Sequence, residues 1–207
     1  MKLYYKPGAC SLASHIVLNK LDIPFTLDCT DTTKGLTEHG KPYASINAKG
    51  YVPALEIEPG VVITENTAIL EYLADTKPEA ALAPPQGSIE RVRLREWLSF
   101  LSSELHKCFS PFFSGKTLDN DARQAAEQKL AGRLDFLQQH LSKMSPYLLG
   151  AQLSVADIYA FVILSWARYI GFSLQSWPEV MSFSQSFNTD PSVKKALVAE
   201  GLLKPEA

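Results

Sequence analysis

Cys10 stands in the run Tyr4-Tyr5-Lys6-Pro7-Gly8-Ala9-Cys10-Ser11-Leu12-Ala13-Ser14, where a short apolar strand passes through a Pro-Gly loop into a helix. A thiol at a helix start meets backbone N–H groups without intrahelical acceptors and the positive end of the macrodipole. Both favour thiolate over thiol, and such settings lower a cysteine pKa to roughly 3.5–7.5. The chemistry on offer is sulfur nucleophilicity or thiol–disulfide exchange. A small buried hydrophobe is the plainer use of the same residue, and the local sequence leaves both readings open.

A second kind of chemistry lies between residues 52 and 66. Val52-Pro53 precedes an apolar run, and a cis-proline there would expose the Val52 backbone as a pairing edge for an extended, peptide-like ligand. The trans isomer would make it a simple turn. Thr64-Glu65-Asn66 falls where a strand ends and a helix starts. Free N–H groups at that start can receive a carboxylate, while Glu65 can accept from an ammonium group, so one site could hold both ends of an α-amino acid. The plainer reading is an N-cap with an acidic first turn. Further along, Ser99, Ser103 and His106 recur at i, i+4 and i+7, with Lys107 beside them. They form a polar stripe roughly 100° round the helix from a leucine face. His15, His39 and His140 have no comparable setting, and no pair has metal-ligand spacing, so no metal is expected.

The elements that must position these groups follow from periodicity and turn chemistry. Leu3-Tyr4-Tyr5 reads as a strand, Ser11 to Leu21 as a helix, and Phe25, Leu27 and Cys29 alternate as a second strand. Pro42 to Ile46 suits a helical turn. Ala54 to Ile57 and Val61 to Thr64 flank Glu58-Pro59-Gly60 as a hairpin. Ala68, Ile69, Tyr72 and Leu73 mark another helix. The order β-α-β-α-β-β-α predicts an α/β domain over 1–80. Pro78, Pro84, Pro85 and Gly87 interrupt any helix, so 81–87 reads as a linker.

From 88 to 207 only helical periods remain, including Leu94, Leu98, Leu101 and Leu105, then Leu130, Leu134, Leu137 and Leu141. Ser88 and Asp190 are placed as N-caps, the latter followed by Pro191 at N1. Leu153-Ser154-Val155-Ala156-Asp157-Ile158 reads as a capping box with a hydrophobic staple, a folding device rather than a catalytic group.

Several function classes are excluded by bulk properties. The 207 residues are 46% hydrophobic and 20% charged with a net charge of −2, ordinary for a globular protein and without a nucleic-acid footprint. Arg91, Arg93 and Arg95 read as a solvated helix face. Three widely spaced cysteines, Cys10, Cys29 and Cys108, fit neither a disulfide framework nor a zinc site and suit a reducing, cytoplasmic setting. No signal peptide is recognised, and the apolar stretch Val155 to Ile170 is shorter than a membrane span and carries Asp157 and Arg168.

Taken together, the chain resembles a cytosolic glutathione transferase, specifically of the bacterial beta class. Five segments carry the resemblance in order: Lys6 to His15, Lys49-Gly50-Tyr51-Val52-Pro53-Ala54-Leu55, Thr64-Glu65-Asn66, Glu96-Trp97-Leu98 with Glu104-Leu105-His106-Lys107, and Gly150 to Asp157. It implies a thioredoxin-like first domain, an all-α second domain lining the electrophile site, a homodimer, and glutathione as cosubstrate with no other cofactor. It also implies Cys10 beside the glutathione sulfur and His106 contributing from the second domain, as the catalytic pair. Val52 would pair its backbone with the tripeptide. Glu65 and the Asn66 backbone would hold the γ-glutamyl end, and Ser99, Ser103, Glu104, Leu105 and His106 would line the rest. Three positions depart from the class. Gly35 stands where a second glutathione-binding lysine is frequent, which leaves Lys34 or Lys107 to take its part; Asn66 stands for serine, and Ser99 for asparagine.

The leading expectation is conjugation of reduced glutathione to small hydrophobic electrophiles, a detoxification chemistry, with the helix start and Ser11 stabilising a thiolate. One alternative is monothiol disulfide exchange (deglutathionylation) at Cys10, since Ala13 leaves no second cysteine for a dithiol cycle. Another is a non-catalytic binding protein whose Phe109, Phe112, Phe113, Tyr159 and Trp166 line a cleft for hydrophobic compounds.

Overall fold

The computed structural model describes residues 1–144 and 146–205, and the chain divides into two compact units. The first begins with β1 (Lys2–Tyr5), α1 (Ser11–Lys20), β2 (Thr26–Asp31), β3 (Leu36–Thr37), β4 (Ala54–Glu58), β5 (Val61–Thr64) and α2 (Asn66–Thr76). These strands form one five-stranded sheet in the order β3-β2-β1-β4-β5. β1 and β2 run parallel, with Leu3 opposite Leu27, and α1 is the crossover that such a pair needs. β4 lies antiparallel to β1 and closes the hairpin with β5. A 3₁₀ turn at Tyr43–Ser45 occupies the expected place of the second helical segment.

The two-residue edge strand β3 is absent from the sequence expectation, because Leu36-Thr37 is too short for any period to show. β2 also differs in its faces. Leu27 and Cys29 are half-buried, whereas Asp28 and Thr30 are fully buried. Leu3, Leu55, Ile16, Ile69 and Leu73 form the centre of the unit, each with no exposed surface. α1 is buried from Ser11 through Leu18 because it packs on the sheet, on α2 and on the last helix of the chain.

The second unit, Ala81–Phe187, is helical. It contains α3 (Ile89–Phe100), a π-helical turn (Leu101–Leu105), α4 (His106–Phe109), α5 (Asn120–Leu141), α6 (Val155–Ser165) and α7 (Pro178–Ser186). Ser88 caps α3 by accepting from the Arg91 N–H, and Asp119 caps α5 by accepting from Ala122. Both leucine stripes are buried as their spacing requires. The Ser154–Asp157 box caps α6: Asp157, with no exposed surface, accepts from Ser154 N at 2.8 Å, Ser154 Oγ at 2.6 Å and Leu148 N at 2.7 Å. Burial outweighs those bonds and raises its pKa to about 6. No helix among the described residues is long and apolar enough to cross a membrane.

Three sequence expectations change here. Arg91 is not on a solvated face: it is 2% exposed, and its Nε donates to the Pro84 carbonyl at 2.8 Å. The segment 81–87 is not a free linker, since Leu82 O also accepts from Val155 N at 2.9 Å and ties it to the helical unit. Finally, α8 (Pro191–Ala199) leaves the helical unit and packs on α1. Lys20 pairs with Asp190 at 2.5 Å, Asn19 donates to Ser192 O at 3.4 Å, and His15 meets Glu200 at 2.9 Å. A boundary that gave 88–207 to one helical domain therefore fails at its C-terminal end, because these long-range contacts decide where α8 belongs.

Candidate functional site

In the first unit the site is built around the start of α1. Cys10 sits at the N-cap with an already helical backbone and makes no side-chain cap. Its Sγ lies 3.4 Å from the Val52 carbonyl. Such a contact is a hydrogen bond when the sulfur carries its proton. Val52-Pro53 is cis and directly precedes β4. The thiol is partly accessible and is not part of a disulfide.

The loop ahead of Cys10 is held at two points. Ser11, fully buried, accepts from Lys6 N at 3.2 Å and donates to Lys6 O at 3.3 Å. Its hydroxyl is thus engaged with the loop, not placed to stabilise a thiolate as expected. Gly8, at φ +71° where glycine is favoured, donates its N–H to Glu200 Oε2 at 2.9 Å. The other Glu200 oxygen meets His15 Nδ1 at 2.9 Å, in a pair that is almost wholly buried. Sequence reasoning found no role for His15 or Glu200. Only the Asp190-Pro191 cap signals α8, and nothing local reveals where it docks.

At the start of α2, Glu65 takes φ +73°, a left-handed conformation costly for a side chain with a Cβ. It makes no helix cap, which sets aside the plainer reading of Thr64-Glu65-Asn66. Its Oε1 accepts from Lys49 Nζ at 2.5 Å and from Tyr51 Oη at 3.0 Å, so an ammonium group already rests on this carboxylate. Asn66 is buried; its Oδ1 accepts from Ser14 Oγ at 2.8 Å, and its Nδ2 has no partner among the described residues. Gly35 has φ +68°, with open space where a Cβ would stand. Lys34, beside it, pairs with Asp31 at 3.2 Å.

In the helical unit, the π turn at Leu101–Leu105 breaks the assumption of an unbroken α-helix. Its wider turn takes one extra residue, so the helix beyond it is rotated back by about one residue, roughly 100°. His106 thereby moves from the polar stripe toward the leucine side. Its Nδ1 lies 2.8 Å from Tyr159 Oη, and its ring packs 4.7 Å from that of Trp166. Burial, with a smaller contribution from Lys107, lowers its pKa to about 4, so the imidazole is neutral at pH 7.

The other expected positions of that unit divide. Ser103 Oγ donates to Ser99 O at 2.8 Å, and both serines are exposed. The Glu104 carboxylate accepts from Arg133 Nε and Nη2 at 2.9 and 2.7 Å. Leu105 is fully buried, which leaves only its backbone for a ligand. Phe109, Tyr159 and Trp166 are core residues, whereas Phe113 is 52% exposed.

The first unit is a thioredoxin-like sheet with its helices, and the second is an all-helical unit, a combination that defines a glutathione transferase fold. The chain matches the family models "Glutathione S-transferase, N-terminal domain" over residues 8–76 and "Glutathione S-transferase, C-terminal domain" over residues 100–191. Glutathione S-transferase GstA of Escherichia coli O157:H7 is 40% identical over 202 residues, 98% of this chain and 100% of its own length. A beta-class glutathione S-transferase of Sphingomonas chungbukensis is 42% identical over 98% of this chain and 100% of its own, with a TM-score of 0.93. A sphingomonad glutathione S-transferase solved in complex with glutathione is 40% identical over the same shares, with a TM-score of 0.92. The chain belongs to the glutathione S-transferase family, among the relatives of its bacterial beta class.

Proposed function

We propose that the protein conjugates reduced glutathione to small hydrophobic electrophiles, with Cys10 beside the glutathione sulfur. The observation that carries this reading is the Cys10 thiol donating to the Val52 carbonyl at 3.4 Å, at the start of α1 and next to cis-Pro53. A thiol proton so placed can be redirected from the carbonyl to a neighbouring thiolate, which would lower that thiolate's free energy through a hydrogen bond to charge. The positive end of the α1 dipole adds favourable partial charge. Val52 backbone would hold the cysteinyl part of the tripeptide. Glu65 would take its α-ammonium group in place of Lys49, and Asn66, through its N–H and its unpartnered Nδ2, would take the α-carboxylate.

His106 is assigned a hydrogen-bonding role. With a pKa of about 4 it is a poor proton store, but if Tyr159 Oη donates to Nδ1, Nε2 carries a proton to offer. Ser99, Ser103, the Glu104–Arg133 pair and the Leu105 backbone would complete the helical unit's share. The homodimer, the cytoplasmic setting and the detoxification role belong to the same proposal.

Monothiol exchange at Cys10 is the second reading, favoured by a sulfur that is partly exposed and not part of a disulfide. Purified protein assayed with glutathione and a panel of aryl halides and epoxides tests the first. Saturable conjugation above the uncatalysed rate is expected. Tight glutathione binding without turnover on any of them would leave a binding protein instead.

A further inference from the structure

We propose that Asp28, Glu38 and His39 form a binding site for a divalent first-row transition cation at the β2–β3 edge of the sheet. One carboxylate oxygen of Asp28, one of Glu38 and a ring nitrogen of His39 all lie within 4.8 Å of one another. Sequence spacing conceals this, since Asp28 lies on β2 while Glu38 and His39 follow β3, and the antiparallel β2–β3 pairing folds them together.

A second, independent observation concerns Asp28 itself. The residue is 4% exposed, and its Oδ1 is buried without a hydrogen-bond partner among the described residues. No salt bridge among the described residues reaches it either. A buried carboxylate oxygen normally has a donor or a cation, because leaving it bare costs the full desolvation penalty. Thr30, two residues along on the same face of β2, also buries an unpartnered oxygen, Oγ1. Among the described residues, this face therefore holds two buried oxygens without a hydrogen-bond partner.

The donor set selects the ligand. Two carboxylates and one imidazole suit Mn²⁺, Fe²⁺ or Zn²⁺ more than a soft ion that needs thiolates. Cys29 is not a ligand: it points to the other face of β2 from Asp28 and gives only its N–H to Glu38 Oε1, at 3.2 Å. A tetrahedral ion about 2.1 Å from each donor needs the donors about 3.4 Å apart. Glu38 and His39 are exposed and can close that gap, while buried Asp28 stays in place. His39 Nε2 already stands 3.9 Å from Glu38 Oε1, too far for a hydrogen bond, so the two side chains do not have to part to take an ion between them.

The test is titration of chelator-treated full-length protein with Mn²⁺, followed by the EPR signal of the free ion, and with Zn²⁺ by calorimetry. About one ion per chain is expected to bind saturably. Glu38→Gln and His39→Gln, both at exposed positions, should each weaken binding at least tenfold without moving the urea midpoint. Asp28→Asn should do the same in a chain shown folded by circular dichroism. Saturable binding of neither ion by the wild-type chain overturns the proposal. So does binding of equal strength in Glu38→Gln and His39→Gln, which would place the ion elsewhere.

Discussion

Replacing Glu200 by alanine should unlatch the loop before Cys10 from the C-terminal helix. The Glu200 side chain is fully buried and serves two donors, Gly8 N at 2.9 Å and His15 Nδ1 at 2.9 Å. Truncation removes this acceptor from both, at about 1–3 kcal/mol for each buried or part-buried group. Removing one member of a buried ionic or hydrogen-bonded pair costs about 3–5 kcal/mol in total, which agrees with that sum. At about 2–4 °C per kcal/mol for a chain of this length, Tm should fall by roughly 6–20 °C. Glu200→Gln retains one acceptor oxygen and should lose about half as much.

Urea unfolding at fixed protein concentration measures the loss. A double-mutant cycle with His15→Phe, a ring of similar size between Tyr5 and Phe25, isolates the pair. A coupling of about 1.5–3 kcal/mol is expected. Because Gly8 lies two residues before Cys10, the rate of Cys10 alkylation should also change in Glu200→Ala. A loss below about 1 kcal/mol together with an unchanged alkylation rate would refute the latch.

Other outcomes can be checked separately. Cys10→Ala should abolish disulfide exchange yet lower conjugation by less than about tenfold, since it removes one hydrogen bond worth about 1.4 kcal/mol or less from a thiolate that belongs to glutathione; equal loss of both activities would contradict that division. Glu65→Gly should raise stability by about 1 kcal/mol through relief of its φ of +73°. The same change should weaken glutathione binding, which calorimetry and a urea titration would read independently.

For His106, the folded pKa of about 4 lies below the ordinary 6.5. As pH falls from about 6.5 to about 4 the unfolded chain therefore gains a proton that the folded chain refuses, and stability drops, by up to about 2–3 kcal/mol. NMR of the His106 ring should show no titration above about pH 5, and His106→Gln should remove this part of the pH dependence. Asp157 acts in the opposite sense: its folded pKa of about 6 is above 3.8, so its contribution weakens as pH rises from about 4 to about 6. Asp157→Asn should cancel that slope and also cost about 2–4 kcal/mol through mismatched donors to Leu148 and Ser154.

Much of this protein was determined by short stretches of sequence alone. Ser88, Ser154 and Asp190 cap their helices through bonds spanning about one turn, so residue type and spacing suffice to place them. The buried leucine stripes and the β4–β5 hairpin follow from period and turn chemistry in the same way. The Cys10 and Glu65 motifs were legible for a related reason, since each lies where a loop or strand meets a helix start. Tertiary structure alone decided the rest. It placed α8 on α1 and brought Glu200 to Gly8 and His15, contacts that join residues 185 to 192 positions apart. It buried Arg91 against the Pro84 carbonyl, and it folded Asp28 beside Glu38 and His39 across an edge strand of two residues. The π turn that rotates His106 carries no periodic signal, because one extra residue in a turn leaves the residue types on either side unchanged. The acceptor that a buried donor finds is chosen by the whole fold, and the neighbouring residues do not encode it.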